Sequence, residues 1–249
     1  VNLSSLVGLA IVLAIFGLML FFAFRGKRSS RKYLREIAAF TKLRRGIGLA
    51  VEAGQRLHIS LGHGGVSDVR GASTLVGLSM LQRVARAASI SDRPPVATSG
   101  EATQAVLSQD TLRSAYNNIG AAGQYDPDSG LLTGVTPFSY AAGAMPVIID
   151  QHVSMNILAG HFGSEVALIT DAAERSGAKS LAGSDNITAQ SVLFATADEP
   201  LVGEELYVAG AYARSGPLHM ASLQAQDIVR WVVIGVILVG SALKLVGVW

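Results

Sequence analysis

The sequence predicts an α/β fold: a largely parallel, or mixed, sheet with helices on both faces, flanked by N- and C-terminal transmembrane helices. Three observations predict it. Short apolar runs of strand character alternate with helical stretches of ten to eighteen residues. Each run stops at a glycine-containing turn and leads into a helix, which is the punctuation of a parallel sheet. The chain also carries a long apolar stretch at each end: residues 6–24 hold no charge, and residues 231–248 hold only Lys244.

At about 1.5 Å per residue, either stretch as a helix crosses a hydrocarbon core of about 30 Å. The first is followed by Arg25, Lys27, Arg28, Arg31, Lys32, Arg35, Lys42, Arg44 and Arg45, opposed only by Glu36. Lys and Arg beside a span are retained on the cytoplasmic side. The expected topology is therefore that of an uncleaved anchor and a membrane protein of two passes. Both termini are outside and the main domain is cytoplasmic. A signal peptide would place its charge before a shorter apolar run. Trp231 and Trp249 bracket the second stretch as interfacial residues, and Lys244 can snorkel to water. The expected divisions are 1–25 (first span), 26–55 (a basic juxtamembrane helix), 56–217 (the α/β domain) and 218–249 (a helix leading into the second span).

The formal charge of +2 is small, and without the nine basic residues near the first span the rest of the chain is acidic. The high pI is thus a membrane-proximal property, and no nucleic-acid partner is expected. No cysteine is present, which excludes disulfides, thiolate chemistry and cysteine-held metal.

In the juxtamembrane stretch, Tyr33, Ile37 and Phe40 recur at helical spacing, beside Leu34, Ala38 and Thr41. Three readings stand open for a helix over about residues 30–53. It lies on anionic lipid, with Arg25, Lys27, Arg28, Arg31, Lys32 and Arg35 against the membrane surface; it continues the span as a stalk between copies; or it packs on its own domain.

Within the domain, residues 57–61 read as a strand stopping at Gly62-His63-Gly64-Gly65, and a small-residue helix runs to Ala88. Residues 96–98 form a short strand, and a helix over 102–119 follows, with Ser99 as its N-cap and Gly120 as its stop. A second pass repeats this order. A strand over 153–158 stops at Gly160-His161-Phe162-Gly163, and a helix over 165–176 ends at Gly177. A strand over 178–182 closes at Gly183-Ser184-Asp185, and a helix covers 186–197. The likeness of the two passes suggests an internal repeat of two strand–helix–strand–helix units about a pseudo-two-fold axis. Between them, residues 131–136 and 146–150 read as further strands, antiparallel if paired, and 138–144 as a short helix or close-packed loop. Residues 201–214 read as helical.

The candidate ligand loops are the strand–glycine–helix junctions: Gly62, His63, Gly64, Gly65 and, in the second pass, Gly160, His161, Gly163. Glycine admits an anion to backbone N–H groups, and a helix N-terminus favours negative charge. Neither loop is a G-x-G-x-x-G or a G-K-[ST] motif, and tight turns alone account for such glycines. His63 and His161 occupy matching positions and stand as general bases facing a shared cleft or as structural histidines. No metal-ligand spacing accompanies them, so no metal and no cofactor is expected. Ser99-Gly100-Glu101 and Ser184-Asp185 match in position too; helix capping explains them, or a carboxylate pair at a cleft.

Residues 56–62 (RLHISLG), 91–96 (SDRPPV), 107–116 (LSQDTLRSAY) and 181–185 (LAGSD) together resemble a family of bacterial two-span membrane proteins catalogued only as a domain of unknown function. The resemblance spans nearly the whole chain and implies one shared architecture, with no activity or residue role to carry over.

Two functions are compatible with these features. The first is a membrane-anchored scaffold without catalysis, self-assembling into a symmetric homo-oligomer, a ring or cage. Small residues permit close packing, and two anchors hold copies in one plane. The second is a membrane-bound enzyme or sensor that binds a nucleotide or other anionic small molecule at the glycine loops. It requires the loops carrying His63 and His161 to meet at one pocket. An accessory subunit of a larger membrane complex shares the features of the first.

Overall fold

A computed structural model describes residues 3–25, 37–68, 71–89, 91–212 and 217–245. These fall into two units: the two terminal apolar stretches with their flanks, and residues 37–214.

In the first unit, α1 (Leu3–Arg25) packs along α9 (Pro217–Leu245). Both are long and apolar enough to cross a membrane, and neither apolar window is buried inside the structure. Lys27, Arg28, Arg31, Lys32 and Arg35 lie outside the described residues, and Arg25 is the last residue of α1.

The second unit is built on β1 (Arg56–Gly62), β2 (Val96–Ser99), β3 (Gly130–Leu132), β4 (Val153–His161), β5 (Lys179–Ser184) and β6 (Glu199–Leu201). All pair in parallel, in the order β3-β2-β1-β4-β5-β6. Alternation along each strand divides the core. Leu57, Ile59 and Leu61 of β1, with Met155, Ile157 and Ala159 of β4, face one layer. That layer is made by α2 (Ala38–Glu52), α3 (Gly71–Ala88), α4 (Ala102–Asn118) and α8 (Glu205–Tyr212). On the other side Val153, Leu158 and Ala182 meet α5 (Pro137–Asp150), α6 (Val166–Arg175) and α7 (Ile187–Thr196). Each fully buried Leu or Ile contributes about 1.5–3 kcal/mol.

The order is that of a doubly wound sheet. The chain runs β1-α3-β2-α4-β3 to one side, crosses by α5, and runs β4-α6-β5-α7-β6 to the other. The two halves have the same topology, as the sequence repeat suggests.

Four local expectations are corrected. β3 is parallel, not antiparallel. Residues 146–150 are not a strand but the last turns of α5, whose start is fixed by a Thr136–Ser139 capping box and Pro137 in the first turn. β6 replaces the beginning of the helix expected over 201–214; Pro200 is tolerated there because β6 is an edge strand. The N-cap of α4 is Glu101, not Ser99: Ser99 closes β2, and its hydroxyl donates to Leu131 O at 3.1 Å.

Residues 38–52, expected as the later part of a basic helix, pack on the sheet. Ala39, Phe40, Leu43, Ile47 and Ala50 are buried in the first core layer, and the Phe40 ring stacks on Tyr212 at 4.5 Å. Lys42 pairs with Glu199 of β6. For this described part, the reading as an element of its own domain holds.

Candidate functional site

In a doubly wound sheet the connections leave adjacent central strands in opposite directions, opening a crevice at the strands' C-terminal ends. Here those strands are β1 and β4. His63 directly follows β1, and His161 ends β4. The His63 N–H donates to His161 O at 3.0 Å, and the two rings meet edge to face with centroids 5.3 Å apart. The loops expected to meet do meet.

Glycine makes this approach feasible. A Cβ on Gly62, whose φ is +74°, would lie 2.1 Å from His161 O, and one on Gly160 would lie 1.9 Å from Leu61 O. The role of these two glycines is strand-to-strand contact rather than room for an anion.

Each histidine has its own carboxylate. His63 Nε2 is 2.8 Å from Glu165 Oε1, and His161 Nδ1 is 2.6 Å from Asp185 Oδ1. Glu165 also accepts the Gly163 N–H at 2.7 Å, and a Cβ on Gly163 would collide with that carboxylate. Burial opposes the charge on Glu165, but hydrogen bonds from His63 and Gly163 outweigh it and hold its carboxyl below the usual range. Ser73 on α3 donates to the second oxygen of Asp185 at 3.0 Å. The imidazole proton therefore sits on Nε2 of His63 and on Nδ1 of His161. His63 Nδ1 and His161 Nε2 make no hydrogen bond among the described residues. The two side chains keep 14% and 10% of their surface exposed, so they are neither fully buried nor fully satisfied.

The other expected site residues have structural partners. Gly100 donates its N–H to Gly62 O at 2.7 Å and lies against His63. Gly64 O accepts from Thr74 Oγ1 at 2.8 Å and from Gln104 Nε2, while Gly65 stands against Asp68. Ser184 Oγ accepts the Phe162 and Asn186 N–H groups, both at 3.2 Å, which ties the β4 and β5 ends together. Glu101 accepts from Gln104 N at 3.0 Å and Thr103 Oγ1 at 2.7 Å. It caps α4 and forms no pair with Asp185.

Beneath the histidines runs a buried polar chain that sequence reasoning missed. The Tyr140 hydroxyl, from α5, bonds Ser60 and lies 3.3 Å from both Gly62 N and Thr98 Oγ1. Thr98 Oγ1 is 2.8 Å from His58 Nε2, and His58 Nδ1 is 2.7 Å from Asn156 Oδ1. One set of directions satisfies every link: Ser60 and Gly62 donate to Tyr140, Tyr140 to Thr98, Thr98 to His58, and His58 to Asn156. Complete burial lowers the His58 pKa from 6.5 to about 4, the Asn156 bond only partly opposing it. Burial raises that of Tyr140. Two amide atoms, Gln104 Oε1 and Asn156 Nδ2, are buried without a partner among the described residues.

Of the helices that begin at this edge, α4 and α7 hold a side chain at their start, Glu101 and Asn186, whereas α6 has no side-chain cap: its Glu165 accepts the N–H of Gly163 in the preceding loop. The Glu101 carboxylate takes the place a bound phosphate would have at the start of α4. No group of three or more metal-ligating side chains occurs among the described residues.

Comparison with known proteins finds no match among curated proteins and none among solved structures. A family model does match: residues 1–249 fit Domain of unknown function (DUF6754), and the chain belongs to that family.

Proposed function

We propose that this chain is a membrane-anchored protein whose α/β domain binds a small protic ligand, an acid or an alcohol, at the β1–β4 switch and exchanges a proton with it. The observation that carries this is the pair of His–carboxylate dyads set side by side at that switch. A carboxylate behind an imidazole fixes its tautomer and stabilises the imidazolium that forms when the free nitrogen takes a proton. The unpartnered Gln104 Oε1, on the residue that holds the His63 loop, offers an acceptor for a ligand donor.

Two helices long and apolar enough to cross a membrane support the anchor, and the basic run after residue 24 supports a domain on the cytoplasmic face of a bacterial inner membrane. The test uses the full chain in nanodiscs, labelled with 15N-histidine. Short carboxylic acids are expected to move the His63 and His161 ring resonances saturably, and His63→Gln is expected to abolish this without loss of fold. A saturable response to ATP alone would favour the nucleotide reading. Silence to both would remove the binding reading.

A second observation favours self-assembly. Val135 and Phe138 near the β3 edge are 73% and 63% exposed, and Ile187 and Phe194 of α7, toward the β6 edge, are 80% and 71% exposed. Apolar patches at opposite lateral ends of one sheet suit a head-to-tail contact that closes into a ring when anchors hold copies in a plane. Mass measurement in mild detergent tests this: Phe138→Ser and Phe194→Ser are each expected to return an oligomer to monomer. A wild-type monomer at native concentration removes the scaffold reading.

A further inference from the structure

We infer that a second site, in the core layer of α2, α3 and α8, binds the acyl chain of an anionic amphiphile. Between α2, α3 and α8 lies a cavity of about 300 Å³, at the small end of the roughly 300–1,000 Å³ that ligand pockets span. Its buried walls are apolar: Phe40, Leu43, Ile47, Met80 and Val84. No buried polar side chain lines it. A hydrogen-bonding ligand would therefore lose its bonds to water there and gain none, whereas a hydrocarbon chain loses nothing. Met80 is adaptable enough to follow such a chain.

The charged lining residues are the accessible ones, Arg44, Arg83 and Glu52. Neither guanidinium makes an ion pair among the described residues. Two free guanidiniums against one carboxylate select an anionic head, a carboxylate or a phosphate, which arginine holds by paired hydrogen bonds. A chain with two helices of membrane-crossing length has such amphiphiles at hand. An apolar cleft with a cationic rim complements their chemistry more closely than it complements an acidic peptide, which has no tail to fill the walls.

The experiment follows the 13C methyl resonance of Met80 in the full chain, in phosphatidylcholine nanodiscs, assigned with Met80→Leu. Palmitate is the free-acid arm, phosphatidylglycerol in the disc the bilayer arm, and hexadecanol the uncharged control. The expected result is a saturable shift with palmitate or phosphatidylglycerol, whichever is the source, and a much smaller one with hexadecanol. Arg44→Gln with Arg83→Gln is expected to weaken binding about tenfold or more, as loss of a charge-assisted hydrogen bond implies. Val84→Trp, which fills the cavity, is expected to abolish the shift. Because Val84→Trp risks misfolding, the arginine pair is the deciding variant, and its circular dichroism and melting should match wild type. No shift in either anionic arm, an equal shift with hexadecanol, or a shift that follows protein concentration instead of lipid would overturn the proposal.

Discussion

Gly160 and Leu61 stand closer than any side chain permits: a Cβ on Gly160 would lie 1.9 Å from the Leu61 carbonyl oxygen, in the strand pair that carries both histidines. Gly160→Ala must therefore push β1 and β4 apart, or break their ladder at its functional end. The expected cost is roughly 3 kcal/mol, at the upper end for a single substitution. Gly120 provides the comparison. Its φ is +74°, but nothing lies within 4 Å of the place a Cβ would take, so Gly120→Ala should cost only about 1–2 kcal/mol, for backbone strain. Denaturant melts of the full chain in detergent would separate the two; equal losses would mean that the strand approach is not a constraint.

The tautomers are a sharper test of the site. Nitrogen-15 shifts should place the proton on Nε2 of His63 and on Nδ1 of His161, because those nitrogens face carboxylates. Asp185→Asn should weaken the hold on His161 by removing the charge behind its ring and, with an amide N–H facing Ser73, should reverse that hydrogen bond at the start of α3. His63 should keep its tautomer, because Glu165 is its partner. Rapid exchange between tautomers in the wild type would show that the dyads do not hold their rings.

Acid should weaken the fold in two stages. The His58 pKa is lowered from 6.5 to about 4 in the fold, so the unfolded chain takes up the proton first. Stability is then complete above about pH 6.5 and falls as pH drops towards 4, by about 3 kcal/mol over that window. Glu165 acts lower. Its folded pKa lies below the ordinary glutamate value of 4.5, so its contribution is present above that value and is lost as pH falls through the folded pKa. His58→Gln should lower stability overall while flattening the slope between pH 6.5 and 4. A melting temperature with the same slope in that variant would assign the acid response elsewhere.

The layered fold was legible because parallel strands are buried on both faces and read as apolar runs between glycine stops, as residues 57–61 and 153–158 do. β6 was not, because three residues around Pro200 carry no periodicity and are a strand only through pairing with β5. Residues 146–150 misled for a related reason: Pro146 followed by Val147 and Ile148 has strand composition, and burial of Val147 and Ile148 in α5 overrides it. Both histidines were legible from their matching loops. Their partners were only half so. Asp185 stood out in the Gly183-Ser184-Asp185 stop after a strand, whereas Glu165 lies 102 residues from His63 and looked like an ordinary acidic residue at a helix start. The polar chain under them was invisible. His58, Ser60, Thr98 and Asn156 alternate with core residues on strands, and only the strand order brings them beneath one tyrosine.

That tyrosine yields the last prediction. The Tyr140 hydroxyl is fully buried and joins Ser60, Thr98 and the Gly62 N–H, so it connects α5 to the end of β1 immediately before His63. Tyr140→Phe retains the ring and its packing beside Phe162 but leaves three buried polar groups to find new partners. Unsatisfied groups of this kind cost about 1–3 kcal/mol each, less where neighbours re-pair. Ser60 and Thr98 sit in register on adjacent strands and can turn to each other, while the Gly62 N–H has no such alternative. The expected outcome is therefore a loss of about 2 kcal/mol overall, with hydrogen exchange accelerated most at Gly62 and His63. The His63 ring should also become more mobile in 15N relaxation, although no atom of Tyr140 bonds it. Uniform acceleration of exchange across the sheet, with His63 unchanged, would make Tyr140 a packing residue only and detach the polar chain from the site above it.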